Sequence, residues 1–277
     1  MFVSCARRAI IRRHLDSKKI NNWVCVYNEN ASISALKKFD LAVLDADAHP
    51  DLTALKNSPT ILIGYVSLGE VGSYRWYWPF IANKPWILDK NPNWDGRMID
   101  VRAAEWHDWV IEKIIPRILA KGFDGIFLDT IDNAAYLEKY HPEKKYPGAQ
   151  ASMIHLIKAI RNKFPKKYIL VNRGSAILNE IGAFIDGVVA ESIFSAIDLN
   201  AKQKLRSRTA DEYEPEVQKL LAARKKFNLM VFTLDYTETE NNKFFIRDVI
   251  AKARQNDFIP YISTTKLDSV YLYTQEL

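Results

Sequence analysis

Two carboxylates carry the chemistry most legible in this chain. Asp129 ends the apolar run Ile126-Phe127-Leu128, inside the segment Gly122-Phe123-Asp124-Gly125-Ile126-Phe127-Leu128-Asp129-Thr130-Ile131-Asp132. Glu191 ends a second run, Gly187-Val188-Val189-Ala190. Each run is too short for a helix and has the composition of a strand buried on both faces. An acid ending such a strand stands at the rim of a sheet, where α/β proteins place their chemistry. Two acids converging from neighbouring strands are the minimum equipment for hydrolysing a glycosidic bond.

The elements that must position them alternate along the chain. Eight strands are expected: 23–27, 41–45, 60–67, 125–129, 168–172, 187–191, 229–235 and 259–264. Helical stretches lie between them, at 32–39, 51–57, 102–121, 148–164, 211–227 and 241–256, with Pro116 expected to kink or break the third. Strands alternating with helices imply parallel pairing and right-handed crossovers. Eight such units favour a single-domain (β/α)8 barrel over an open doubly wound sheet. The connection between the third and fourth strands is long and rich in tryptophan and proline. It is expected to form a structured insertion over the barrel mouth.

In such a barrel the strand ends meet around one mouth. They supply Tyr27, Asp45, Asp47, Ser67, Glu70, Asp129, Asp132, Asn172, Glu191, Asp235 with Tyr236, Ser263 and Thr264. The set is rich in acids although the formal net charge is +6. Packed carboxylates repel and raise one another's pKa, so an acidic pit implies a cationic or catalytic use. The insertion's aromatics, Tyr74, Trp76, Tyr77, Trp78, Phe80, Trp86 and Trp94, divide between core and a surface on which sugar rings could stack. Tyr136, Tyr140 and Tyr146 could extend that surface.

Other chemistries find less. The lysines are scattered over helix faces, and no nucleic-acid motif is present. No apolar run approaches the roughly 18–20 residues that cross a bilayer. Cys5 and Cys25 form no CxxC pair, and there is no GxSxG elbow, P-loop or GxGxxG fingerprint. Asp45, Asp47 and His49 could be metal ligands, but loops that begin a helix use the same residues as caps. No metal or cofactor is therefore expected. Residues 1–20, with Arg7, Arg8, Arg12 and Arg13, read as a basic tail ahead of one domain over 21–277. Its order, apolar Met1-Phe2-Val3 before basic, is the reverse of a secretory signal, although Ser4-Cys5 has the look of a lipoprotein signal's end.

Several segments together resemble one family. Gly64-Tyr65-Val66-Ser67-Leu68-Gly69-Glu70 with Tyr74-Arg75, then Gly122 to Asp129, Val171-Asn172-Arg173-Gly174 and Ala190-Glu191-Ser192 occur in order. The combination resembles glycoside hydrolase family 114, the endo-α-1,4-polygalactosaminidases, from about Trp23 to Tyr273. The resemblance implies a (β/α)8 barrel cleaving polymers of α-1,4-linked galactosamine and N-acetylgalactosamine, usually exported from the cell. It implies that the acids ending the fourth and sixth strands, Asp129 and Glu191, form the catalytic pair. One departure is Arg173, a cation where the family's asparagine is often followed by glycine.

The combined expectation is a retaining glycosidase acting on a polysaccharide or oligosaccharide. Asp129, among polar neighbours, would stay ionised as nucleophile, and Glu191, behind an apolar strand, would keep its proton as general acid. Asp45, Glu70 and Asp235 would bind amino or hydroxyl groups, joined by Arg75, Asp132 and Asn172. Tyr65, Tyr236 and the insertion's tryptophans would shape the subsites. A non-catalytic carbohydrate-binding barrel and a metal-dependent hydrolase or deacetylase are the alternatives.

Overall fold

The computed structural model describes residues 20–91, 95–141, 145–198, 204–238 and 242–276. The basic tail, apart from Ile20, lies outside the described residues, as does Trp94 of the aromatic cluster. Eight strands form one sheet: β1 (Trp23–Val26), β2 (Leu41–Asp45), β3 (Ile61–Ser67), β4 (Gly125–Asp129), β5 (Tyr168–Asn172), β6 (Gly187–Glu191), β7 (Met230–Tyr236) and β8 (Ile259–Ser263). Each pairs in parallel with the next in sequence. That order, with helices in the connections, is a single-domain (β/α)8 barrel.

The strands form because their apolar runs have nowhere else to go. All of β1 and β2 and the first four residues of β4 and β6 are buried, as expected when helices cover one sheet face and the barrel interior the other. The seam between β1 and β8 is held by side chains. Trp23, fully buried, donates from Nε1 to the Ile259 carbonyl at 2.9 Å and sets its ring edge-on to Phe232 and Tyr261.

The long β3–β4 connection is indeed structured. Glu70–Gly72, Ile87–Lys90 and Gly96–Ile99 make a small antiparallel sheet. Its tryptophans mostly serve as core. Trp86 packs on Trp106, whose Nε1 donates to the Leu68 carbonyl at 2.9 Å, and Trp76 packs on Trp109. Only Tyr74 and Tyr77, of the described cluster, reach the cleft. The expectation that tryptophans shape the subsites is corrected for the described ones: none lines the cleft, and Trp76 and Trp86 fasten the insertion to the following helix.

That helix does not break at Pro116. It runs Ala104–Trp109, widens into a π-helical turn over Val110–Ile114, and resumes as Ile115–Ala120. Proline's ring would clash with the carbonyl four residues back, at Glu112. The π turn falls on that residue and relieves the clash.

Candidate active site

Three adjacent strands deliver the central residues. Asp129, Asn172 and Glu191 are the last residues of β4, β5 and β6. Each is followed by a non-glycine residue in the left-handed region: Thr130 at φ 58°, Arg173 at 53° and Ser192 at 55°. That conformation costs roughly 1–2 kcal/mol per residue. Its repetition at three neighbouring strand ends, where the chain must turn sharply off the rim, marks a place where strain is tolerated for function. The turns are pinned by ladder bonds, from Arg173 N–H to the Val189 carbonyl at 2.9 Å and from Ser192 N–H to the Leu234 carbonyl at 2.8 Å. Thr130 is clamped by its hydroxyl, which lies 2.7 Å from the Ser67 hydroxyl and accepts from Gly69 N–H at 2.8 Å. Gly69 is required there, because a Cβ would sit 2.3 Å from the Thr130 carbonyl.

The five polar side chains at this level form one continuous chain. Tyr65 donates to Asp129 Oδ2 at 2.7 Å, and Tyr236 donates to Glu191 Oε1 at 2.6 Å. Between them, Asn172 Nδ2 donates to Asp129 Oδ1 at 2.8 Å and to Glu191 Oε2 at 2.7 Å. One nitrogen thus touches both carboxylates, so their facing oxygens lie no further apart than those two bonds laid end to end. Burial and the neighbouring carboxylates push both phenols well above their ordinary pKa, so each remains a donor at neutral pH. Burial also raises the Asp129 carboxyl above its ordinary value; the Asn172 and Tyr65 bonds pull it back, and the Glu191 charge adds to the rise. Asp129 has the polar neighbours expected of the ionised partner, in Tyr65 and Asn172. Hydrogen bonds, against burial, are what favour its charge.

A cleft of about 590 Å³ lies over this chain. Its walls include Glu70, Arg75 and Asp132 from the expected set, together with Arg173, the departure from the family pattern. Glu70 is steered by Asn91 and Asn133, each donating to its Oε1 at 2.8 Å. Asp132 is raised by burial, with the Gly174 N–H and the Arg173 charge opposing. Arg173 places its Nε 4.0 Å from Glu191 Oε2.

Two expected residues do not line the cleft. Asp45 is held behind Arg75, whose Nη1 and Nη2 donate to its two oxygens at 2.9 and 2.7 Å. Burial would raise the Asp45 carboxyl, but Arg75 and the N–H groups of Ala48 and Asp47 hold it below its ordinary value. Asp235 is fully buried and accepts from Phe194 N–H, Ser195 N–H and Ser195 Oγ at 2.8–2.9 Å. It ties the chain leaving β6 to β7 instead of meeting a ligand. The open acidic pit is thus smaller than the strand ends alone suggest. Asp47 is also engaged, by Arg75 and Lys121, and His49 turns Nδ1 to the Pro50 carbonyl. Among the described residues no three His, Cys, Asp or Glu side chains converge as metal ligands. Sequence reasoning passed over Asn91 and Asn133; an asparagine in a loop gives no sign of the distant carboxylate it will orient.

A model of glycoside-hydrolase family GH114 matches residues 7–277. The chain belongs to this family. It is a glycoside hydrolase, and its substrate is accordingly a carbohydrate. It is 27% identical to the uncharacterised protein MJ1477 of Methanocaldococcus jannaschii, over 89% of this chain and 78% of that one. An uncharacterised protein of Thermotoga maritima is 23% identical over 90% of this chain and 82% of its own. Among solved structures, the glycoside hydrolase domain of PelA from Pseudomonas aeruginosa superposes with a TM-score of 0.76 at 22% identity, covering 91% of this chain and 100% of that one. Ega3 of Aspergillus fumigatus, in complex with galactosamine, gives 0.64 at 15% identity, covering 90% of this chain and 92% of its own. At these identities the structural likeness is one of fold. No helix among the described residues is long and apolar enough to cross a membrane.

Proposed function

We propose that this family member is a retaining endo-glycosidase of α-1,4-linked galactosamine and N-acetylgalactosamine polymers, with Asp129 as nucleophile and Glu191 as general acid, then base. The observation that carries the reading is Asn172 Nδ2 bridging the two carboxylates at 2.8 and 2.7 Å. Retaining enzymes hold their carboxyl groups about 5–5.5 Å apart, whereas inverting enzymes need about 6.5–9.5 Å to admit a water. The bridge supports the shorter class.

In the first step Asp129 attacks the anomeric carbon while Glu191 gives its proton to the departing glycosidic oxygen. In the second, Glu191 takes a proton from water, whose oxygen displaces Asp129 from the sugar. Tyr65 and Asn172 stabilise the Asp129 carboxylate as leaving group, and Tyr236 and Asn172 hold Glu191 in line. Glu70, oriented in the cleft wall by two asparagines, suits an ammonium or hydroxyl group. The galactosamine bound to Ega3 supports an amino sugar as the ligand of this fold.

Partly deacetylated polymer of this linkage tests the proposal. Proton NMR of the first-formed reducing ends should show the α-anomer, and Asp129→Asn and Glu191→Gln should each lower the rate by about 10²- to 10⁴-fold. An initial β-anomer would overturn the mechanism. Near-wild-type turnover by either variant would remove that residue from its role, and an uncut polymer would remove the substrate class.

A further inference from the structure

At Glu191 the cleft adjoins a second cavity of about 700 Å³, which Asp129 does not line. The two share Asp132, Arg173, Glu191, Tyr236 and Thr265. Its far wall comes from the residues after β6, the antiparallel pair Ser195–Asp198 and Lys204–Ser207, and the helix Ala210–Phe227.

Arg208 distinguishes this cavity. Other arginines of the protein are satisfied: Arg75 by Asp45, Arg161 by Asp186 and Arg206 by Glu212. Arg208 lines the cavity, yet its Nε is buried with no hydrogen-bond partner. A buried guanidinium N–H without an acceptor is destabilising. The Asp235 carboxylate, whose Oδ2 is also unpartnered, feels the Arg208 charge without accepting from Nε, so a ligand oxygen in the cavity would satisfy that donor. The cavity carries Glu212 and Glu216 as well as Arg173 and Arg208, and so presents no net positive field for an anion. Leu178, Leu205 and Leu220 give it apolar surface. One orphan donor beside apolar surface fits a neutral group with a carbonyl and a methyl.

We propose that this cavity is the leaving-group subsite and that it selects an N-acetylated sugar, Arg208 donating to the acetamido carbonyl while the methyl meets the leucines. The inference rests on the roles given above to Asp129 and Glu191, since the general acid faces the departing sugar. The enzyme would then read the polymer asymmetrically. A free amine suits the Glu70 side of the scissile bond, and an acetamide suits the Arg208 side.

The test is a limit digest of randomly part-acetylated polymer, with the residues flanking each cut identified by mass spectrometry. New non-reducing ends should be N-acetylated well above the polymer's mean. Arg208→Lys should abolish that enrichment, raise KM for acetyl-rich polymer about tenfold, and lower the kcat/KM preference for it by the same factor. Lysine keeps the charge that Asp235 feels but loses the planar fork, so a purely structural Arg208 would leave the preference in place. Unbiased ends from the wild type, or an unchanged preference in Arg208→Lys, would overturn the inference while leaving the hydrolase reading intact. A polymer not cut at all would bring down both.

Discussion

Asp129 is poised between two opposing influences, and the pH profile should expose them. Burial raises its carboxyl, while bonds from Asn172 and Tyr65 lower it. In the proposed nucleophilic role it must be ionised, so the acidic limb of kcat/KM should sit above the ordinary aspartate value of about 3.9. Tyr65→Phe deletes a bond made to the charged form. The limb should therefore move to higher pH, with a loss of roughly tenfold or more at the plateau. Tyr236→Phe, whose bond goes to Glu191, should leave the acidic limb where it was. A Tyr65→Phe profile displaced toward acid, or unmoved, would mean that Asp129 is not the group whose ionisation that limb reports.

The eight barrel strands were legible because each is a short apolar run with an abrupt polar end, and five of their acids or amides mark the rim. What was hidden depends on partners far away in the chain. Glu70–Gly72 and Gly96–Ile99 are strands only because they pair with each other, and no local pattern announces that. Asp45 reads as a mouth residue until Arg75 covers it, and Asp235 until the loop after β6 folds over it. The connection from β6 to β7 carries its own prediction. Burial pushes the Asp235 carboxyl up to about 6, against the opposing bonds from Ser195 and Phe194. An acid whose folded-state pKa is raised binds its proton more tightly when folded. Its stabilising contribution is complete below the unfolded value, near 3.9, and is lost as pH rises through about 6. Asp235→Asn cannot ionise, so wild type should lose on the order of 1–3 kcal/mol relative to that variant between pH 4.5 and 7.5. Thermal melts of both proteins at the two pH values measure this; parallel behaviour would mean that Asp235 is ionised throughout.

At the scale of the whole molecule, the connections after β3, β6 and β8 shape a path longer than one sugar. The insertion's Glu70 and Tyr74 line the cleft that also holds Asp129 and Glu191, and the cavity lined by Ser195 and Ala196 adjoins it at Glu191. Thr265 borders both, and with Lys266 it continues into a third hollow of about 610 Å³ lined by Thr237, Asp268 and Tyr271. Glu191 and Tyr236 border both the cleft and the second cavity, so a chain laid through the two would run past Glu191 on either side. A groove open on both sides admits the middle of a chain, whereas a blind pocket admits only its terminus. Cuts should accordingly fall inside the polymer. The viscosity of a long substrate should collapse while only a small fraction of its linkages has been hydrolysed, and early products should span many lengths. Capping the non-reducing ends chemically should leave the initial rate unchanged, because no terminus needs to enter. A steady release of one short oligosaccharide with viscosity falling only in proportion to bond cleavage would show that one end of the groove is closed in solution.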